Sequence, residues 1–327
     1  MRAIQARQAG GPDVLELVDL PDPEPGAGEV AVEVAAAGVN FIDTYRRGGI
    51  YPMPFPHVVG SEGAGRVVAL GGGVTSPAVG DRVAWADAPG SYASRVLVPS
   101  DRVLVVPDDV DDATAAALPL QGLTAHYLAT STHPVAPGDD VLVHAGAGGV
   151  GLLLTQLAVA RGGRVISTVS TDEKAALARE AGADVVIRYD QLDDLTAELP
   201  TLVREATGGV SVAAVYDGVG RDTFEASLAS LRRRGVLVLF GGSSGQVPPF
   251  DLQRLNAAGS LFVTRPTLKD YVATPEELRE RAAELFEAVR DGSLDVRIGA
   301  TYPLADAARA HAALESRATT GKVVLTI

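Results

Sequence analysis

The sequence predicts an α/β protein of two domains: a β-rich region, then a doubly wound parallel sheet, then a short tail. Three observations carry this. The chain has 327 residues, and domains run at roughly 150 residues each. Up to about residue 120, short Val- and Ala-rich runs are broken by Pro and Gly clusters at close spacing. Beyond that point strand-like runs alternate with helical segments of about 10–15 residues.

In the first part, PDPEPGAGE at 21–29, GGGVTSPAVGD at 71–81 and PDDVDD at 107–112 mark turns. GEVAVEVAAAGV at 28–39 and GAGRVVALG at 63–71 read as strands ending in glycine, as in a small barrel or distorted sheet. From about Leu120 the period changes. VLVHAGAGGVGLLLTQLAVARGG at 141–163 is strand, glycine turn and helix; RVISTV at 164–169 is a strand and TDEKAALAREAG at 171–182 a helix. ADVVIRY, VAAVYDGVG, GVLVLFGG and GSLFVTR (183–189, 212–220, 235–242 and 259–265) continue the strands. Helical segments at 193–209 and around 224–231 lie between them. The tail holds a helix with Thr274 as N-cap, Pro275 at its first position and Gly292 after its end. A second amphipathic helix at 304–316 and a closing strand at 321–327 return the chain to the first domain. The expected domains are 1–122 with 267–327, and 123–266. A cleft between them is the expected ligand site.

Composition excludes several classes. Hydrophobic residues make up 46% and charged residues 21%, which rules out disorder. The absence of cysteine removes disulfides, thiolate zinc sites, iron–sulfur clusters and cysteine nucleophiles. A net charge of −13 opposes general binding to nucleic acid. No apolar run approaches the roughly 18 residues of a membrane helix, and MRAIQARQAG at the start lacks a signal-like stretch. The expected location is the cytoplasm.

The strongest motif is His144-Ala145-Gly146-Ala147-Gly148-Gly149-Val150-Gly151. Gly146, Gly148 and Gly151 satisfy G-x-G-x-x-G between a strand and a helix, the context the motif requires. The glycines allow a tight turn, close approach to a pyrophosphate and helix-on-strand packing; the helix N-terminus offers free N–H groups. An acidic protein thereby binds an anion without a basic patch. No acid ends the second strand of this unit, where an NAD site places one for the ribose diol. Ser170-x-x-Glu173 reads instead as a capping box. Lys174, Tyr189 and Ser170 are candidates to hold a 2′-phosphate, which favours NADPH over NADH. The alternative for Lys174 is a solvated helix lysine.

Segments along nearly the whole chain then point to a family: AAAGVNFIDTYRRGGIYP (35–52), VVGSEGAGRV (58–67), VGDRVAW (79–85), LPLQGLTAHYL (118–128), HAGAGGVG (144–151), the 216–245 run, GSLFVTRPTL (259–268) and LESRATTGKVVL (314–325). The sequence resembles the zinc-independent NADPH:quinone oxidoreductases related to zeta-crystallin, in the medium-chain dehydrogenase/reductase superfamily. The resemblance implies a GroES-like β-rich catalytic domain and a Rossmann coenzyme domain. It also implies a homodimer in which the GSLFVTR strand extends the sheet. Zinc relatives carry G-H-E-x-x-G; the matching stretch here is Gly60-Ser61-Glu62-Gly63-Ala64-Gly65, with Ser61 in place of the histidine ligand. His57 alone cannot meet a four-ligand demand. Without that Lewis acid the expected acceptor is already electrophilic.

The resemblance places Asn40, Asp43, Tyr45 and Tyr51 in the active cleft, with Gln121 and Arg265 nearby. Tyr45 is the favoured proton donor, with water as the alternative. Plainer readings stand beside these: Asn40 as a turn residue, Asp43 as a helix cap, Tyr51 as loop packing and Arg265 in a dimer ion pair. For cofactor contacts it points to Thr124, Gly148, Gly149, Val150, Ser170, Lys174, Tyr189, Gly218, Phe240, Gly241, Ser243 and Lys322, besides Asn40, Gly146 and Gly151. Gly218 replaces a serine of close relatives, and Lys322 is either a cofactor contact or a surface lysine. Two enzyme alternatives remain, an NADPH-dependent enone reductase and an α/β-hydrolase built on Gly241-Gly242-Ser243-Ser244-Gly245; Pro248 and Pro249 oppose the helix that the hydrolase needs. A third alternative is an NADPH-binding protein without turnover.

Overall fold

The strand-forming runs of the first part pair as the alternation of apolar and polar residues dictates. The computed structural model describes all 327 residues, and contacts divide them into two units, Met1–Leu123 with Val272–Ile327, and Thr124–Tyr271. In the first unit, β1 (Arg2–Ala6), β2 (Leu15–Asp19) and β4 (His57–Val58) form a small antiparallel sheet in the order β2-β1-β4. A larger sheet contains β3 (Glu29–Val39), β5 (Glu62–Leu70), β6 (Arg82–Trp85), β7 (Arg95–Pro99) and β8 (Leu104–Val105). Two strands of the tail complete it: β15 (Ile298–Pro303) and β16 (Lys322–Thr326), with β16 antiparallel to β3 and Val324 opposite Gly38. The tail thus returns to the first unit.

Three helices of this unit matter below. They are α1 (Phe41–Arg47), α2 (Asp112–Ala117) and, beginning in it, α3 (Pro119–Tyr127). The reading of the first 120 residues as β-rich passes over α2 and the start of α3. Asp111 caps α2 through its side chain, a signal hidden in an acidic run.

The second unit is a six-stranded parallel sheet. Its strands are β9 (Asp140–Val143), β10 (Arg164–Val169), β11 (Val185–Arg188), β12 (Val212–Asp217), β13 (Leu231–Leu239) and β14 (Phe262–Thr264), in the order β11-β10-β9-β12-β13-β14. The order reverses at β9, the switch point of a doubly wound sheet. Helices α4 (Gly149–Ala160), α5 (Asp172–Glu180), α6 (Leu195–Ala206), α7 (Phe224–Ala229), α8 (Gln253–Ala257) and α9 (Leu268–Tyr271) accompany it. Leu142, Ile166, Val215 and Leu237 of the sheet pack with Leu199, Val203 and Phe224 of the helices in one buried cluster. Continuous apolar strands of this kind are what a sheet covered on both faces requires.

Three expected boundaries move. α5 is capped by Thr171, whose hydroxyl accepts the Lys174 N–H, and not by Ser170. β13 begins at Leu231, because Val212 pairs with Leu231 before the register shifts. The second unit ends at Tyr271 and not at 266; Tyr271 stacks on Tyr127 at 4.3 Å within that unit. The tail helix α10 (Pro275–Arg290) has the expected Thr274 cap with Glu277 in a capping box, and α11 (Ala307–Glu315) follows it.

Candidate active site

In the first unit the end of β3 and the start of α1 create a buried polar cluster. Gly38 lies on β3 where a Cβ would stand 2.2 Å from Glu62 Oε2, so only glycine leaves room for that carboxylate. Glu62 Oε2 accepts from Asn40 Nδ2 at 2.8 Å and from Lys322 Nζ, and Oε1 accepts from the Leu120 N–H at 2.6 Å. Asn40 Oδ1 accepts from Lys322 Nζ at 2.8 Å and from Gln121 Nε2 at 3.5 Å. Asn40, Glu62 and Lys322 are all buried. The surface-lysine alternative for Lys322 is thereby corrected: the residue is 1% exposed, because β16 lies inside the sheet beside β3. Glu62 is absent from the sequence-based site; the signal was Gly38, a glycine within a strand that makes space for something.

Asp43 belongs to a second cluster that shares α1. Its Oδ2 accepts the Asn40 N–H at 3.0 Å and the Tyr92 hydroxyl at 3.1 Å, and its Oδ1 accepts from Ser61 Oγ at 2.6 Å. Asp43 therefore does close the first turn of α1. Burial raises its carboxyl to about 6, against the lowering effect of these donors. Arg46 Nη1 donates to Ser61 Oγ at 2.6 Å. Tyr92 also meets His311 Nε2 at 3.2 Å, and His311 Nδ1 meets Arg47 Nη1 at 3.0 Å. Arg47 is in turn paired with Glu315 at 2.6 Å.

Tyr45 and Tyr51 form an edge-to-face pair at 5.7 Å, with Tyr51 folded back so that its N–H reaches the Tyr45 carbonyl. Tyr51 is 40% exposed. Asp43 and Arg46 line a small pocket with Met53, His57, Val58, Val59, Gly60 and Pro89. His57 stands alone there, its Nδ1 at 3.1 Å from the Pro54 carbonyl. No group of three or more His, Cys, Asp or Glu is placed to hold a metal ion.

The nucleotide-type features lie in the second unit. Gly148 is the N-cap of α4 and supplies no side-chain cap, which leaves first-turn N–H groups for a ligand. A Cβ on Gly151 would meet the Ala145 carbonyl at 2.4 Å and Gly146 Cα at 2.8 Å. That is the close helix-to-strand packing the third glycine serves. Lys174 Nζ reaches Ser170 Oγ at 3.4 Å at the end of β10. β11 pairs beside β10 with Arg188 opposite Val169, and Tyr189 follows in a 3-10 turn. Arg188 is held by Asp172 and Asp190, which places those acids in ion pairs. Gly218 and Gly241 touch backbone to backbone, since a Cβ on Gly241 would lie 2.4 Å from the Gly218 carbonyl. A Cβ on Gly218 would press Phe240 at 2.9 Å. Ser243 donates its N–H to the Gly218 carbonyl at 3.3 Å. Thr124 is buried on α3, and Arg265 Nη1 donates to the carbonyl of its neighbour Pro266 at 3.3 Å. No helix follows Gly245 until Gln253, so the hydrolase context is missing.

A GroES-like β unit with a doubly wound nucleotide unit defines a medium-chain dehydrogenase/reductase. The family model described as the alcohol dehydrogenase GroES-like domain matches residues 26–108, and that described as the zinc-binding dehydrogenase matches 149–288. The quinone oxidoreductase of Pseudomonas aeruginosa is 46% identical over 326 residues, 99% of each chain. The 2-haloacrylate reductase of a Burkholderia species is 42% identical over 325 residues, 97% of this chain and 96% of that one. The native mycobacterial Rv1454c, solved in complex with NADPH, is 55% identical with a TM-score of 0.97, covering 100% of both chains. The chain belongs to the quinone oxidoreductase family of this superfamily.

Proposed function

We propose that this protein is an NADPH-dependent quinone reductase that works without zinc. The observation that carries the reading is the end of β10. Ser170 and Lys174 stand together there, while Asp172 is drawn away into its pair with Arg188. A cation and a hydroxyl at the end of this strand suit a 2′-phosphate. The uncapped N-terminus of α4 suits the pyrophosphate. When bound, NADPH supplies a hydride from C4 of its nicotinamide.

The chain's own residues divide the remaining work. Gly146, Gly148, Gly149, Val150 and Gly151 present backbone to the pyrophosphate. Gly218, Phe240, Gly241 and Ser243 form a close-packed wall, with Thr124 and Tyr189 further along the same unit. Tyr45 and Tyr51 offer flat faces to a flat acceptor and a hydroxyl to the developing quinol oxygen. Asn40, Gln121 and Lys322 act through the Glu62 cluster, since the Asn40 amide is fully engaged. Asp43 sets the geometry of Ser61 and α1. Arg265 of the second unit is proposed to lend its charge to acceptor binding. The protein is proposed to act in the cytoplasm as a homodimer paired through β14, whose Phe262 is 60% exposed on the sheet edge.

The 42% identity to a 2-haloacrylate reductase favours reduction of a conjugated double bond as the second reading. The deciding experiment follows loss of NADPH absorbance with 1,4-benzoquinone, 9,10-phenanthrenequinone and a simple enone, each repeated with NADH. Turnover with a quinone and preference for NADPH are expected. Turnover confined to the enone replaces the first reading with the second; equal use of NADH removes the Ser170–Lys174 assignment.

A further inference from the structure

Beneath the glycine loop a chain of buried polar groups remains without a role. It lies wholly in the second unit. Asp217 ends β12 with no exposed surface. Its Oδ1 accepts the Val219 N–H at 2.8 Å, the Gly220 N–H at 3.0 Å and the Thr223 hydroxyl at 2.9 Å. Its Oδ2 lies 2.7 Å from both Thr223 Oγ1 and Ser227 Oγ. Ser227 has one hydroxyl hydrogen, and Asp217 receives it. Ser227 Oγ therefore accepts from His144 Nε2, 3.0 Å away. That leaves His144 Nδ1 bare, to accept from the Thr168 hydroxyl at 2.8 Å. The donors run one way, from Thr168 to His144 to Ser227 to Asp217. Burial pushes the imidazole pKa down, in keeping with a neutral ring.

Three members of the chain, His144, Thr168 and Asp217, also anchor loops. His144 directly precedes the glycine turn, and its N–H is held by the Tyr216 carbonyl at 3.1 Å. The Thr168 carbonyl accepts the Gly146 N–H at 3.1 Å, and the Asp217 carbonyl accepts the Phe240 N–H at 2.9 Å. One imidazole thus joins the ends of β9, β10 and β12, from which the 145–151, 170–174 and 218–220 segments depart.

We propose that His144 is a positioning residue for the cofactor: as the neutral Nε2–H tautomer it bridges Thr168 to Ser227 and Asp217, holding three loops at one spacing. The proposal rests on the reading that these loops take NADPH.

Its test has a part that needs no ligand. Nitrogen NMR of the full chain at neutral pH, with His144 assigned by comparison with His144→Gln, is expected to show the proton on Nε2. A proton on Nδ1 overturns the proposal. Hydrogen exchange at the Val219 and Gly220 amides is expected to quicken in Ser227→Ala, and unchanged exchange overturns it. Fluorescence titration then gives the NADPH dissociation constant. His144→Leu is expected to raise it about tenfold, while His144→Gln, which keeps a donor for Ser227, stays within about threefold of the parent. Combining Ser227→Ala with His144→Leu is expected to cost less than the product of the single losses. Equal losses from Leu and Gln, or losses that simply multiply, overturn it. Should the parent protein not bind NADPH, the proposed function fails, while the tautomer and the exchange data still decide the role of His144.

Discussion

At the scale of the residue, the Tyr92 hydroxyl joins two groups whose protonation works in opposite directions. Burial raises Asp43 from 3.8 to about 6, and burial with the Arg47 charge lowers His311 from 6.5 to about 3. Between these values native Asp43 binds more protons than the unfolded chain, so its contribution to stability falls as pH rises from 3.8 towards about 6. Native His311 binds fewer, so its contribution is full above 6.5 and is lost as pH falls towards about 3. The two slopes partly cancel where they overlap. Asp43→Asn removes one of them, and urea midpoints from about pH 4 to about pH 6.5 are expected to show a steeper acid destabilisation than the parent. An unaltered profile would contradict the buried-carboxylate account. The Lys322–Glu62 pair calls for a separate variant. Lys322→Met strands a carboxylate that is 0% exposed, a loss of about 3–5 kcal/mol. Adding Glu62→Gln is expected to recover part of it; chemical denaturation measures both.

At the scale of the element, the turn from β9 into α4 and the start of α5 are the proposed nucleotide-binding segments. Gly151→Ala places a methyl 2.4 Å from the Ala145 carbonyl oxygen and 2.8 Å from Gly146 Cα, both backbone atoms that no side-chain rotation can move aside. The expected cost is about 1–3 kcal/mol of stability together with weaker NADPH binding; thermal unfolding and titration read the two effects, and a neutral variant would mean that the turn is looser than described. If Lys174 holds the 2′-phosphate as proposed, Lys174→Ala removes a charge-assisted contact worth roughly 1.5–3 kcal/mol, about tenfold or more in the dissociation constant. Unchanged NADPH binding would take Lys174 out of the site. G-x-G-x-x-G with its flanking strand and helix was legible because Gly148 and Gly151 answer steric demands made within a few residues, whereas Gly146 makes room for Ser167 of the neighbouring strand β10. The cap of α5 was misplaced by one residue because Ser170 and Thr171 are both good caps, and the direction in which β10 ends decides between them.

At the scale of the whole molecule, the exposed edge of β14 is where the proposed homodimer would pair. Phe262 and Val263 stand on a sheet edge at 60% and 37% exposure. Phe262→Asp is expected to shift a dimer to monomers in sedimentation at micromolar concentration, with the fold intact by circular dichroism. A parent protein that is already monomeric would refute the proposed pairing.

Local pattern in the sequence was enough for the two-unit architecture, the parallel sheet, the glycine loop, the Thr274 cap and the edge strand. Each depends on neighbours within about one element: period, turn residues, caps and runs of apolar side chains. Tertiary structure alone decided which polar groups meet. Lys322 is an ordinary lysine in the sequence, yet β16 lies beside β3 and carries its ammonium onto Asn40 and Glu62 from across nearly the whole chain. His311 looks like one polar residue in an amphipathic helix, yet it is buried between Arg47 and Tyr92. His144, Ser227 and Asp217 are likewise far apart along the chain. A buried polar group must find a partner wherever the fold supplies one. Such partners come from strand order and register, which no local spacing encodes.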